Sequence, residues 1–253
     1  MVTGLADRGW AHFGAEPAVA DWAAAALATL KGRALEDLRL GGTWDVGLEG
    51  LPNDGAGAVG GVPLRGAAIA LARALYGDLP LHRAQVSTVL PGYPRPSEDE
   101  SPAAFAYRRD RDSAHVDGIL PIGPGRRRQV RDPHAYILGL PLTDCDADAS
   151  PLVLWEGSHR IMARAFAGVL DRVAEADRPT TDVTEAYHAA RREVFATCPR
   201  IVVHNRPGEA LLIHRLTLHG ISPWAEGAMA PQEGRIVAYF RPLLGSVGAW
   251  MRL

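Results

Sequence analysis

Cysteine is scarce. The 253 residues contain two, Cys145 and Cys198, and they form no CxxC pair. That leaves out a disulfide framework and a thiolate zinc site, and makes a reducing cytoplasm the expected compartment. Lysine is scarcer still: Lys31 is the only one, and every other basic side chain except histidine is arginine. Charge of one sign does not dominate, since the net charge is -2. No basic excess points to nucleic acid, and no acidic tail is present. Long apolar runs are missing as well. Val19 to Leu30 comes nearest, but it is interrupted by Asp21 and too short to span a bilayer. The opening Met1 to Asp7 has no basic segment followed by an apolar one, so no secretory signal is expected. GxSxG and HExxH are both absent, which removes the serine-hydrolase elbow and the helical zinc-protease site.

What remains is ordinary globular material: 47% hydrophobic and 22% charged residues, enough to bury a sizeable core. No repeat, low-complexity tract or linker divides the chain, so residues 1–253 are read as a single domain. Gly9 to Phe13 reads as a short strand. Pro17 then opens an alanine-rich helix through about Leu30, with Trp22, Leu27 and Leu30 facing the core, because proline suits a first helical turn. Gly41 to Pro63 is rich in Gly, Pro, Asn and Asp and reads as an extended loop. Within it, Gly55 to Gly60 formally matches GxGxxG. The flanks are wrong for a dinucleotide site, lacking a buried strand before and an uninterrupted helix after. A second helix is expected from Arg65 to Tyr76, stopped by Gly77.

Strands dominate after Pro80. They are expected at Ala84 to Leu90, Ala135 to Leu140, Pro151 to Trp155, Ile201 to His204, Ala210 to His214 and Arg235 to Arg241. Helices are expected at Ile161 to Ala176 and Val183 to Phe195, and loops at Pro121 to Pro133 and Asp144 to Ser150. Early helices and late strands suggest α+β with a mainly β core, a sandwich or barrel.

The chemistry is expected around Ser113 to Asp117. His115 and Asp117 are separated by one residue, and on an extended strand that spacing puts both side chains on one face. An imidazole and a carboxylate there supply two ligands of a 2-His-1-carboxylate site, which leaves coordination positions open and suits non-haem Fe(II). Two later histidines compete for the third position. His219 is preferred, because it stands where a strand meets a turn and is followed by Gly220, which permits close approach of another group. His214, inside an apolar stretch, reads better as a packed core histidine.

The order of these segments carries a resemblance. His115-x-Asp117, Leu142 to Arg160 (with Gly157-Ser158-His159-Arg160), Pro207-Gly208-Glu209, His219-Gly220 and Arg235 follow one another as they do in the phytanoyl-CoA dioxygenase-like branch of the Fe(II)/2-oxoglutarate oxygenases. The chain resembles that family from about Gln85 to Pro242, and more weakly over Gly9 to Leu30. The resemblance implies a double-stranded β-helix, the jelly-roll or cupin-like barrel, flanked by N-terminal and inserted helices. It implies Fe(II) on His115, Asp117 and His219. It also implies Arg235 on the distal carboxylate of 2-oxoglutarate, a role that suits arginine's planar fork. Arg235 is preferred to Arg241 as opening the strand near the metal. Gln85 and Thr88 are expected helpers on the strand before His-x-Asp. The activity implied is a dioxygenase reaction on a small organic molecule, consuming O2 and 2-oxoglutarate and releasing succinate and CO2. Related halogenases replace the carboxylate by a small residue, so Asp117 implies hydroxylation or a kindred oxidation.

Two departures from the family stand out. Ile221 occupies the place where a serine often follows His-Gly, Ser222 coming next, and Ala225 to Gly234 is an insertion. Other readings stay open: an iron oxygenase of this fold that does not use 2-oxoglutarate, or a jelly-roll binding protein without turnover. Arg126, Arg127, Arg128 and Arg131 are read either as receiving an anionic substrate or as a solvated loop. Tyr107, His134, Tyr136, Trp155 and Trp224 are read as pocket walls or core. Gly157 to Arg160 is read as a turn into a helix, with contact to substrate as the alternative.

Overall fold

A computed structural model describes residues 2–35, 37–98 and 100–252. In chain order the elements are α1 (Val2–Arg8), β1 (Trp10–Phe13), α2 (Pro17–Thr29), β2 (Leu38–Arg39), β3 (Trp44–Asp45), α3 (Ala67–Tyr76), β4 (Gln85–Val89) and α4 (Pro102–Asp110). There follow β5 (Ile119–Ile122), β6 (Arg127–Val130), β7 (Tyr136–Pro141), β8 (Leu152–Trp155), α5 (Ser158–Leu170) and α6 (Thr184–Thr197). The chain closes with β9 (Arg200–Val203), β10 (Ala210–His214), β11 (His219–Ile221), β12 (Arg235–Phe240) and α7 (Val247–Met251).

Two antiparallel sheets face each other. The larger has the order β1-β10-β7-β12-β4-β3-β2, and the smaller β11-β8-β9. A bridge between His115 and His219 adds the His-x-Asp segment beside β11. From β4 onward the core strands cross repeatedly between the two sheets, which is the winding of a double-stranded β-helix. β7 is buried along its whole length because both of its faces are covered. Its Ile137 face joins Leu152, Leu154, Val203, Leu211 and Ile213 between the sheets. On the other side, Leu138 and Leu140 meet the cluster containing Trp22 of α2 and Ala68 and Ala72 of α3. Pro17 does open α2, and Trp22 is fully buried, its indole N–H donating to Gly57 O at 2.7 Å. That contact locates the GxGxxG stretch: it is a turn against α2, with no helix after it. A second core joins β8 to α5, α6 and α7 through Trp155, Phe166, Tyr187 and Trp250.

Several local expectations change. Pro121 to Pro133 is not a plain loop, since β5 and β6 pair as a hairpin from Ile119↔Val130 to Ile122↔Arg127. Arg126 turns that hairpin with a φ of 48°. The 102–110 segment is helical, capped by Ser101, whose side chain accepts from the Ala104 N–H. α5 starts at Ser158 and ends at Leu170, short of Ala176. His-x-Asp itself lies on a single bridge rather than a regular strand. Among the described residues no helix is long and apolar enough to cross a membrane.

Candidate metal centre

The turn before His115 is unusual. Asp112 and Ser113 both have left-handed backbones, with φ of 54° and 53°, a conformation that costs a non-glycine residue about 1–3 kcal/mol. A fork of hydrogen bonds holds it: Arg200 Nε and Nη2 donate to the Asp112 carboxylate at 2.8 and 2.7 Å. The same turn receives β11, because the Ile221 N–H donates to Asp112 O at 2.8 Å. A Cβ at Gly220 would stand 2.0 Å from that oxygen. Gly220 is therefore required by the Asp112 carbonyl, and the close neighbour expected after His219 is backbone rather than a cosubstrate.

From this turn the three side chains converge. One ligand atom each from His115, Asp117 and His219 lies within 4.8 Å of the others. His115 Nε2 is 3.2 Å from Asp117 Oδ1, and His219 Nε2 is 3.9 Å from Oδ2. Both rings are oriented by backbone carbonyls. His115 Nδ1 donates to Ser113 O and His219 Nδ1 to Thr217 O, each at 2.9 Å. A carbonyl only accepts, so each Nδ1 carries a proton and each Nε2 is turned toward Asp117. His214 is the reverse. Its Nδ1 accepts from the Leu216 N–H at 3.2 Å, which places its proton on Nε2. It packs 5.1 Å from the His159 ring, outside the cluster.

Charge is arranged to match. Burial opposes ionisation of Asp117, but Arg241, His115 and His219 outweigh it and hold the carboxyl well below its usual range. Burial and the neighbouring His115 push His219 down to about 4, so that ring is neutral. Desolvation pulls His115 down, but its hydrogen bond to Asp117 and that residue's charge prevail and raise it. Two imidazoles whose Nε2 atoms are directed at an ionised carboxylate are a donor set that fits a divalent metal, which would take the place of the His115 Nε2 proton.

The cluster opens on a cavity of about 200 Å³ between the sheets. Its walls include Trp44, Val46, Leu48, Ile221 and Tyr239, with Gln85, Ser87 and Arg241 as polar members. Gln85 is thus at the site, and its Oε1 accepts from Arg241 Nη2. Thr88 is not. It has the opposite parity on β4 and opens on the outer face, beside Leu142 and Ile236. The structure brings together Ser87 instead, which accepts from the Trp44 indole at 2.9 Å; strand alternation from Gln85 could have found it.

The two arginines of the last strand also exchange ends. Arg241 lies at the metal end, its Nη1 3.2 Å from Asp117 Oδ2. Arg235 lies deeper, in a small chamber with Gly139, Leu152, Asn205, Leu211 and Tyr239. Its expected place beside the metal is corrected on that ground. β12 pairs antiparallel with β4, Tyr239 opposite Gln85 and Arg235 opposite Val89, so the strand's end reaches the level of Gln85 and its start does not.

Remaining candidates fall elsewhere. Arg127 pairs with Asp182 at 2.6 Å, and Arg128 donates to Ile119 O, so half of the arginine cluster is committed to the hairpin and α6. None of Arg126, Arg127, Arg128 or Arg131 lines the metal cavity. Tyr136 and Trp155 are core, Tyr107 packs against the second core, Trp224 packs with Tyr93, and His134 bonds Arg241 O. Ser222 accepts from Arg200. Gly157 to Arg160 leads into α5, and Ser158 Oγ accepts from the Leu218 N–H.

Fold and site together define a jelly-roll with a His-x-Asp…His cluster at one end of the barrel. No protein-family model matches the chain, and no curated protein matches it. Solved structures do align with it. SnoK, a non-haem α-ketoglutarate-dependent carbocyclase from nogalamycin biosynthesis, is 16% identical with a TM-score of 0.48, over 95% of this chain and 82% of that one. EctD from S. alaskensis, solved with 2-oxoglutarate and 5-hydroxyectoine, is 14% identical with a TM-score of 0.45, over 96% and 75%. AviO1 from Streptomyces viridochromogenes Tue57 is 16% identical with a TM-score of 0.47, over 97% and 94%.

Proposed function

We propose that the chain, as one domain, is an Fe(II)- and 2-oxoglutarate-dependent dioxygenase of the phytanoyl-CoA dioxygenase-like kind, oxidising a small organic molecule. The observation that carries this reading is the convergence of His115, Asp117 and His219, with both Nε2 atoms turned onto one carboxylate. These three residues would hold Fe(II) on one face and leave positions open on the other. When bound, iron, 2-oxoglutarate and O2 together supply the oxidant that attacks a substrate C–H bond, with succinate and CO2 as co-products.

The protein's own part is holding and shielding. Ser113 O and Thr217 O keep the two imidazoles in the ligating tautomer. Arg241 keeps Asp117 ionised and links it to Gln85. Trp44, Val46, Leu48 and Ile221 form an apolar wall that excludes water around the substrate. Arg235 would meet the far carboxylate of 2-oxoglutarate from the inner chamber. A buried carboxylate requires a cation there, and one guanidinium nitrogen of Arg235 is buried without a partner.

The test is O2 consumption and succinate release with Fe(II) and 2-oxoglutarate, wild type against Asp117→Ala. The variant should fold and lose turnover entirely. Undiminished iron-dependent turnover in Asp117→Ala would remove the triad. Fe(II) binding with no response to 2-oxoglutarate would leave an iron oxygenase of another kind.

A further inference from the structure

The inner chamber contains polar atoms that the fold does not satisfy. Both amide atoms of Asn205, Nδ2 and Oδ1, are buried with no hydrogen-bond partner, and so is Arg235 Nη1. Buried amides are almost always paired, so an unpaired one calls for a cause. Asn205 and Arg235 border the same two small cavities, of about 20 and 10 Å³, along with Pro141, Val203 and Val237. A donor and an acceptor on a shared void, left unbonded, imply that something stands between them. The space suits one or two water-sized atoms. Asp146 borders the smaller void, but its carboxylate accepts from the Met229 N–H, and among the described residues no Asp or Glu forms an ion pair with Arg235, which favours an anionic oxygen over water alone. Leu152 and Tyr239 line both this chamber and the metal cavity, so the two spaces adjoin.

We propose that Asn205 is a cosubstrate-binding residue: its amide N–H, beside Arg235, donates to the far carboxylate of 2-oxoglutarate, which enters the chamber past Leu152 and Tyr239. This rests on the oxygenase reading above. The amide oxygen then turns toward Arg235 Nη1, so the ligand and the new contact together satisfy all three atoms. Asn205 lies just before the Pro207-Gly208 turn that leads into β10, and that turn delivers its side chain to the barrel interior.

The experiment is anaerobic titration of the Fe(II)-loaded protein with 2-oxoglutarate and with pyruvate, a 2-oxo acid that lacks the second carboxylate. Asn205→Leu should weaken 2-oxoglutarate about tenfold or more, as expected when a charge-assisted hydrogen bond is lost, and leave pyruvate unchanged. Asn205→Asp gives a second, opposed signature. Its carboxylate would pair with Arg235 in place of the ligand, so the melting temperature should rise while 2-oxoglutarate affinity falls. Equal weakening of both 2-oxo acids, or 2-oxoglutarate affinity indifferent to Asn205→Leu, would overturn the assignment. A wild-type protein that binds Fe(II) and neither 2-oxo acid would instead overturn the oxygenase reading itself.

Discussion

Arg235 opens β12 and Arg241 follows its last residue; the two share a strand parity and differ in what neutralises them. Arg241 is engaged by a protein carboxylate: Asp117 and Gln85 take two of its nitrogens, only its Nε lacking a partner, while its peptide N–H donates to His82 and its carbonyl meets His134. Arg235 faces its chamber with one nitrogen unpaired, and among the described residues it forms no ion pair. A cation already neutralised by a protein carboxylate positions that carboxylate. A cation left unneutralised is available to a ligand. Local sequence does not separate these roles; the neighbours across the barrel do.

The largest expected effect breaks the metal end. His219→Ala should abolish Fe(II) binding, measured by titration with the anaerobic protein, whereas His214→Ala should bind iron normally and lose stability instead. Position is the reason, since His214 packs against His159 outside the cluster and His219 stands beside Asp117. Iron binding lost only in the His214 variant would reverse the assignment.

Next comes the comparison of the two arginines. Arg235→Gln should weaken 2-oxoglutarate by roughly ten- to several-thousand-fold, the range spanned by losing one charged hydrogen bond and by leaving a buried carboxylate unpaired. Its iron affinity should be unchanged. Arg241→Gln should do the opposite and cost about tenfold in iron affinity through a less well-held Asp117. Loss of 2-oxoglutarate in the Arg241 variant alone would transfer the carboxylate to the metal end.

A smaller effect sharpens the contrast among histidines. Burial, with Arg215 and His159 beside it, depresses His214 well below the usual imidazole value. The unfolded chain then binds a proton that the folded one refuses, so its contribution is full above about pH 6.5 and is lost as pH falls below it. The slope is at most about 1.4 kcal/mol per pH unit for one group. His214→Asn retains an acceptor for the Leu216 N–H and cannot take the proton. Urea unfolding at pH 7.5 and 5.5 should therefore show a smaller acid loss in the variant than in wild type. His115, with its pKa raised, acts with the opposite sign, its contribution present below about pH 6.5 and lost as pH rises.

Much of the fold is legible in the sequence. The β-rich segments at Gln85, Tyr136, Leu152, Ala210 and Arg235 are strands because their apolar and β-branched residues leave them little else to be. Pro17 and the alanines after it specify α2, and the His-x-Asp spacing put His115 and Asp117 on one side, whereas Gly220 answers to the Asp112 carbonyl and not to the site. Periodicity identifies a strand and the parity of its side chains. It does not say which face of a sheet, or which end of a barrel, a given parity reaches. Thr88 and Ser87 are adjacent, and only the packing of α2 against the large sheet sends Thr88 outward. Arg235 and Arg241 share a parity, and the antiparallel pairing with β4 decides which stands level with Gln85. The strained Asp112-Ser113 turn depends on Arg200, far along the chain. Asn205 carried no signal at all, because a lone Asn before Pro-Gly reads as a turn. Its exposure to the barrel interior exists only once β9 and β10 have closed around it.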